Sequence, residues 1–254
     1  MNFTILKYDL IDSTNTEAIN QAKRGADEGL CIVAREQTAG RGRHGRTWIS
    51  EKDAGLFFSL VLRPKIETRF LPLITLMTAV AVHDALETVF NIECDIKWVN
   101  DIHVHGKKIC GILAETCETE KGLAVIVGIG INLKSSNFSP ELAETATSIE
   151  FETGETPNLE TFLPILTSYL EKSCDLLYGE NGAKKIREEW IKRSSYAFGK
   201  DVRIKLNDEY IFGITQGIEE NGALRLQTTS GELKIIHTGD VEQVRQMEGK
   251  NEPC

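Results

Sequence analysis

The run Gly122–Leu133, Gly-Leu-Ala-Val-Ile-Val-Gly-Ile-Gly-Ile-Asn-Leu, constrains the fold of this chain more than any other stretch. It is apolar nearly throughout and rich in β-branched residues, so it reads as a strand with both faces covered. Such a strand belongs inside a sheet that carries further layers. Strand side chains alternate, so Gly128 and Gly130 face the same side. Glycine weakens a strand, and it is retained either for packing or for close approach of a ligand or another backbone.

The surrounding pattern supplies the rest of a mixed α/β (α+β) fold. Phe3–Leu10, Leu30–Glu36, Gly55–Arg63 and Asp95–Trp98 read as strands. Ile102–Val104 and Lys108–Glu115 form a hairpin that turns at Gly106. Thr14 and Glu17 have capping-box spacing before a helix that runs to Gly25. Leu71–Phe90 is the longest helical segment, with Pro72 in its first turn, and His83 lies near its apolar face as a core or rim residue. Ser135–Asn158 is polar and reads mainly as loop, followed by helices at Leu159–Tyr178 and Ala183–Lys192. From Lys200 onward the character changes to short strands at Asp201–Leu206, Tyr210–Ile218, Ala223–Thr228 and Glu232–Thr238. Turns at Asn207-Asp208, Asn221-Gly222 and Ser230-Gly231 separate them and suggest a small β-barrel. The expected division is a helix-covered mixed-sheet domain at 1–196 and a barrel with its tail at 197–254.

The chain of 254 residues carries a formal net charge of −9. That balance opposes wholesale nucleic-acid binding, which depends on neutralising phosphates. Against it stands the loop Gly40-Arg41-Gly42-Arg43-His44-Gly45-Arg46, with three arginines and three glycines in seven positions. Glycines let a backbone close around a ligand, and arginines match carboxylate or phosphate. Alone, the loop fits an anion cradle and a solvated surface loop equally. It is neither a Walker A sequence nor a Rossmann fingerprint. The six cysteines show no C-x-x-C zinc spacing and read as buried free thiols. The N-terminus lacks signal-peptide form, and no apolar run reaches the ~20 residues of a membrane helix. A reducing cytoplasm, with no membrane partner, is the expected location.

Three segments place charged residues at the end or turn of an apolar strand: Gly40–Trp48, Lys97–Asp101 and Lys107–Glu115. Each has a plain reading as well: a surface loop, an Asx-type turn and a polar hairpin turn. Their ordered combination is more specific. Asp12-Ser13-Thr14-Asn15, Gln37–Trp48, Lys97-Trp98-Val99-Asn100-Asp101, Lys108–Glu115 and Val127–Leu133, closed by His237-Thr238-Gly239-Asp240-Val241, resemble the biotin protein ligases (biotin–[acetyl-CoA-carboxylase] ligases) over nearly the whole chain. Val99 stands where that family usually has proline, and Cys110 where a small residue is common. Some members carry an N-terminal helix-turn-helix domain. The opening strand at Phe3 leads to the expectation of a form without one, and so of no DNA partner.

The resemblance implies a mixed-sheet catalytic domain followed by a small SH3-like β-barrel. It also implies a two-step reaction. Biotin's carboxylate attacks the α-phosphorus of ATP, with Mg²⁺, to give biotinyl-5′-AMP and pyrophosphate. A lysine of a biotin carboxyl carrier protein then takes the biotinyl group and AMP leaves. By the same resemblance, Ser13, Thr14, Asn15, Gln37, Gly40, Arg41, Arg43, Lys108 and Gly111 would bind biotin. Arg41, Arg43, Arg46, Trp48, Lys97, Asn100 and Asn132 would bind ATP, with Lys108 and Arg43 catalytic. No protein ligand to a metal is assigned. A homodimer through an exposed sheet edge is a further expectation. The rival readings are a lipoate–protein ligase and, from another class, a nucleic-acid-binding module using the arginine loop. The loop itself is expected to be mobile without ligand and to order over the anhydride.

Overall fold

The apolar run at Gly122–Asn132 lies at the centre of a seven-stranded sheet, where its composition requires it to be. The computed structural model describes residues 1–135, 138–206 and 209–243. In chain order the first elements are β1 (Thr4–Tyr8), α1 (Thr14–Lys23), β2 (Leu30–Ala34), β3 (Gly55–Leu62), α2 (Leu73–Phe90), β4 (Asp95–Lys97), β5 (Asp101–Val104), β6 (Lys107–Thr119) and β7 (Gly122–Asn132). Then come α3 (Pro140–Thr145), α4 (Ile149–Thr153), α5 (Leu159–Tyr178) and α6 (Gly182–Lys192). The strand order is β1-β2-β3-β7-β6-β5-β4. β1 and β2 run parallel and every other neighbouring pair antiparallel, so the sheet is mixed.

The two faces of β7 have different fates. Val125, Val127, Ile129 and Ile131 point into the main core, which contains the buried sides of α2, α5 and α6. Ala124 and Ile126 point the other way, onto Ala18 and Ala22 of α1. Further along that second face the side chains vanish at Gly128 and Gly130. β3 pairs Ser59 with Gly128 and Phe57 with Gly130, and β6 pairs Gly111 with Gly130. The sheet therefore offers a glycine floor just beyond the N-terminus of α1. By composition α2 is long and apolar enough to cross a membrane, but 67% of it is buried within the protein, where it covers the sheet.

Two local expectations are corrected. No capping box forms at Thr14: Ser13 is the N-cap and its side chain makes no cap bond. A tertiary partner replaces the local one, since Thr14 N–H donates to Gln37 Oε1 at 2.7 Å. Glu17 instead accepts from Tyr8 and Gln21. The stretch read as loop after Leu133 contains α3 and α4, each capped by a serine, Ser139 and Ser148. Pro140 at the first helical position is the start signal that the polar composition obscured.

The C-terminal part is a five-stranded antiparallel sheet of the SH3-like barrel class, as expected. Its strands are β8 (Phe198–Leu206), β9 (Glu209–Ile218), β10 (Leu224–Thr228), β11 (Leu233–Ile236) and β12 (Asp240–Gln243), in the order β11-β10-β9-β8-β12. The expected turn at Asn207-Asp208 lies outside the described residues. Gly222 and Gly231 occupy turn positions with φ of +86° and +85°, a region that favours glycine. Val202, Ile204, Leu224 and Leu226 join the same core as α2. Trp98 Nε1 donates to the Gly222 carbonyl at 2.9 Å, a buried bond between the two sheets.

Candidate active site

The glycine floor and the α1 N-terminus enclose a cleft. Ser13, Thr14, Asn15, Gln37, Arg41, Arg43, Trp48, Asn100, Lys108 and Gly111 all line it, together with Phe57, Gly128 and Gly130. Residues from six segments of the sequence thus meet at one cleft. The glycines are needed sterically. A Cβ at Gly130 would lie 2.6 Å from the Trp48 ring, one at Gly111 2.8 Å from it, and one at Gly128 2.3 Å from Asn15 Oδ1. The Trp48 ring therefore packs against Gly111 and Gly130. Its ring also receives Lys108 Nζ at 5.3 Å from the centroid, a cation–π distance.

One end of the cleft is a hydrogen-bonded network. Thr14 Oγ1 donates to Gln37 Oε1 at 3.1 Å, and Gln37 Nε2 donates to Ser50 Oγ at 2.8 Å. Asn15 Nδ2 donates to Glu115 Oε2 at 2.7 Å. Ser59 Oγ donates to Asn15 Oδ1 at 2.6 Å and lies 2.8 Å from Thr14 Oγ1. A hydroxyl has one proton, so Ser59, within reach of both Asn15 Oδ1 and Thr14 Oγ1, donates to one of them at a time.

Beside this network the site is cationic, and Lys108 and the three arginines each have a protein partner. Lys108 Nζ is 2.7 Å from Asp101 Oδ1, and Arg41 Nη2 is 2.9 Å from Glu115 Oε2. Arg43 donates to Asn100 Oδ1 at 2.9 Å and to Thr238 Oγ1 at 3.1 Å. Arg46 pairs with Asp240. Burial lowers the Arg43 pKa, with Asp240 and Asp101 acting against it, and the guanidinium stays charged at neutral pH. Asn100 Nδ2 in turn donates to the Ile112 carbonyl at 3.0 Å, tying the Lys97–Asp101 segment to β6.

Two further spaces adjoin the cleft. A largely apolar pocket is lined by Trp48, Ile49, Phe57, Lys108, Asn132 and Phe138, among others. Asn132 Nδ2 there donates to the Thr147 carbonyl at 3.0 Å. An outer groove is lined by Arg41, Arg43, Arg46, Val99, Asn100, Glu115, His237 and Thr238. Gly40 lines none of these spaces. A Cβ on it would fall 2.4 Å from the Trp48 carbonyl oxygen and 2.5 Å from Ser50 Oγ, so it serves the packing of the loop base. Lys97 also lines none of the three; it stands on β4 opposite Asp101, where burial lowers its pKa. The Trp98–Val99 peptide is cis.

Sequence reasoning passed over five residues that the structure brings to the site. Ser59 is fully buried; its one available signal was a lone hydroxyl in the apolar run Gly55–Leu62. Asp101 and Glu115 lay within quoted motifs without a role. Thr238 and Asp240 reach the arginine loop from the second sheet, a long-range contact that no local pattern encodes. The described cysteines are free; Cys31, Cys110 and Cys174 are buried as expected, whereas Cys94 and Cys117 are only half-buried. Burial pushes the thiols of Cys31, Cys94 and Cys174 up to about 12, which makes them inert at neutral pH.

The geometry describes a pocket for a small acid with a cation cluster at its mouth and an aromatic-floored pocket beside it. Residues 8–132 match the biotin/lipoate A/B protein ligase family, and residues 197–243 match the biotin protein ligase C terminal domain. The bifunctional ligase/repressor BirA of Bacillus subtilis is 37% identical over 244 residues, covering 94% of this chain and 73% of that protein. The biotin–[acetyl-CoA-carboxylase] ligase of Paracoccus denitrificans is 35% identical over 231 residues, 88% of this chain and 94% of its own. Among solved structures, the biotin protein ligase from Aquifex aeolicus in complex with biotin and ATP superposes with a TM-score of 0.82 at 28% identity, covering 95% of this chain and 99% of that one. The chain belongs to the biotin protein ligase family.

Proposed function

We propose that the chain joins biotin to ATP as biotinyl-5′-AMP and passes the biotinyl group to a lysine of a biotin carboxyl carrier protein. The observation that carries this reading is the position of Lys108 and Trp48, which line both the polar-ended cleft and the adjoining apolar pocket. An acid in the first and an adenine in the second would meet at the Lys108 ammonium.

Ser13, Thr14, Asn15 and Gln37 offer donors and acceptors in the cleft, which suits the ureido ring of biotin. The dithiolane of lipoate has no such groups, which favours biotin over the rival acid. The biotin carboxylate would point toward Lys108, Arg41 and Arg43. Trp48 would floor the adenine, with Asn132 at its edge, and Arg46 in the outer groove would receive the departing pyrophosphate. In the first step the carboxylate oxygen attacks the α-phosphorus and pyrophosphate leaves. In the second the carrier amine attacks the carbonyl carbon and AMP leaves. Lys108 faces the oxygens whose charge shifts in both steps. Preorganised donors of this kind are typically worth ~3–4 kcal/mol each. Holding both reactants can add ~7–11 kcal/mol.

Mg²⁺ is part of the nucleotide substrate in this reading. Asp101, Glu115 and Asp240 each already hold a protein cation, so among the described residues no set of free carboxylates lines the site. Phosphate and water ligands suit Mg²⁺. The cluster His83, Asp84 and Glu87 on α2 is occupied differently: Arg193 binds Asp84 through two bonds, at 2.5 and 2.9 Å.

A cytoplasmic location fits the free thiols. The net charge of −9 opposes wholesale binding of DNA. The homodimer reading rests on the outer strands of the seven-stranded sheet and is checked by light scattering with and without biotin and ATP. The enzymatic reading is tested by intact mass after incubation with biotin, Mg·ATP and a carrier domain. A biotinyl mass shift on the carrier is the expected result. Pyrophosphate exchange with lipoate and not with biotin would overturn it.

A further inference from the structure

We propose that His103 is a positioning residue for adenylate formation, acting through Asp101 to release Lys108 to the substrate. The inference rests on the biotin-ligase reading above. His103 lies on β5 and is 8% exposed. It stands opposite Lys108 of β6 and opposite Asp95 of β4. The β5–β6 register shifts between Ile102 and His103, which brings Lys108 level with His103. Nε2 of His103 is buried without a hydrogen-bond partner and lies 4.0 Å from Asp101 Oδ2. The other oxygen of Asp101, Oδ1, forms an ion pair with Lys108 Nζ at 2.7 Å that lacks hydrogen-bond geometry.

A buried polar nitrogen without a partner is costly, and its presence beside a carboxylate calls for a physical reason. The reaction supplies one. To bond the biotin carboxylate, Lys108 must give up part of its hold on Asp101. Asp101 is 20% exposed on its side chain and would then be left with a poorly solvated charge. An approach of about 1 Å brings the His103 Nε2–H within hydrogen-bond range of Oδ2. The imidazole can thus take over as Lys108 turns to the substrate. Nε2 carries the proton because it faces the carboxylate.

For this exchange the ring should be neutral, so that Asp101 stays charged and Lys108 stays protonated. The charged groups around it are Asp95 and Lys97 of β4, Asp101 of β5 and Lys108 of β6. Burial first, then Lys97 and Lys108, push the His103 pKa down to about 4, against the opposing pull of Asp101 and Asp95. Asp95 is also held by Ser195, through N at 2.8 Å and Oγ at 2.6 Å, so the acceptor left for His103 is Asp101.

The test compares wild type, His103→Phe, His103→Gln and Asp101→Asn in biotin-dependent ATP–pyrophosphate exchange, with thermal unfolding measured alongside. His103→Phe keeps the volume and loses the donor; His103→Gln keeps a donor near the Nε2 position. The expected result is a roughly ten-fold fall in kcat for His103→Phe, with KM for biotin within two-fold. His103→Gln should recover to within about three-fold of wild type, and His103→Phe should add no further loss on top of Asp101→Asn. A fall in kcat that persists in His103→Gln, an equal fall added to Asp101→Asn, or no fall in a folded His103→Phe would overturn the inference. Wild type that exchanges no pyrophosphate with biotin would instead overturn the enzymatic reading on which it rests.

Discussion

Lys108 shows at the scale of one residue how charge is set in this site. Its ammonium is shared between the Asp101 carboxylate and the Trp48 face, and it is the one cation that lines both the cleft and the adjoining pocket among the described residues. Lys108→Ala should cut adenylate formation by about 100-fold or more, the loss of one electrostatic donor of about 3 kcal/mol. The protein should stay folded, because Lys108 is not a core residue. Pyrophosphate exchange within several-fold of wild type would count against that role. His103 gives a second prediction, in stability. Its folded pKa is near 4, below the unfolded value of about 6.5. As pH falls the unfolded chain takes the proton first, so stability that is full above about 6.5 is lost between there and about 4. His103→Phe removes that loss. Between pH 7 and pH 4.5 the variant should gain on wild type by roughly 2–3 kcal/mol in urea denaturation; a difference independent of pH would contradict the buried neutral imidazole.

At the scale of the element, β7 does two jobs along one face. Ala124 and Ile126 hold α1, and Gly128 and Gly130 then open the floor on which Asn15 and Trp48 rest. This predicts that two neighbouring alanines have separable effects. Gly130→Ala places a Cβ 2.6 Å from the Trp48 ring and should raise KM for ATP about ten-fold, whereas Gly128→Ala meets Asn15 Oδ1 at 2.3 Å and should act chiefly on biotin. Each variant should also lose about 1–3 kcal/mol of stability, the usual cost of forcing a methyl into a packed site, with loss of glycine entropy in the unfolded chain offsetting part of it. Steady-state kinetics against each substrate separates the two; matched effects on both constants would mean the floor is one undivided surface. The strand itself was legible, because an apolar run of this length has one stable environment. So were the glycine spacing and the hairpin at Gly106, which alternation and turn chemistry dictate. The start of α1 was misread because Gln37, distant in sequence, replaces the local cap. α3 and α4 were missed because such short helices are defined by their serine caps and their neighbours, not by periodicity. Ser59 was hidden for a related reason: burial makes its hydroxyl matter, and burial is a property of the assembled sheet.

At the scale of the molecule, the two sheets share one core and also meet over the arginine loop. Val202, Ile204, Leu224 and Leu226 pack into the same cluster as α2, and Trp98 bonds the Gly222 carbonyl. The proposed division at 196/197 is therefore one of topology and leaves the hydrophobic core undivided. The loop adds a polar tie across that division, with Arg43 on Thr238 and Arg46 on Asp240. Glycines and like charges led to the expectation of a loop mobile without ligand. The structure adds a partner for each charge, so its mobility depends on how well those partners hold. Arg46 is 63% exposed on its side chain, and exposed ion pairs typically contribute ~0.2–1 kcal/mol. A tie of that size slows opening only a few-fold, and phosphate oxygens with Mg²⁺ can displace it. Asp240→Ala should therefore raise amide-exchange rates across residues 40–46 about two- to five-fold in the free protein, the factor that such an energy sets. With biotin and Mg·ATP bound, the same residues should exchange alike in variant and wild type, because the arginines then have the substrate anions as partners. Exchange unchanged in the free variant would show that the loop is held by its own backbone bonds, Gly42 N–H to the Arg46 carbonyl at 2.7 Å and Trp48 N–H to the Gly40 carbonyl at 2.9 Å. A variant that stays faster with both substrates bound would mean that Asp240 braces the closed state itself, and the second sheet would then belong to the catalytic surface.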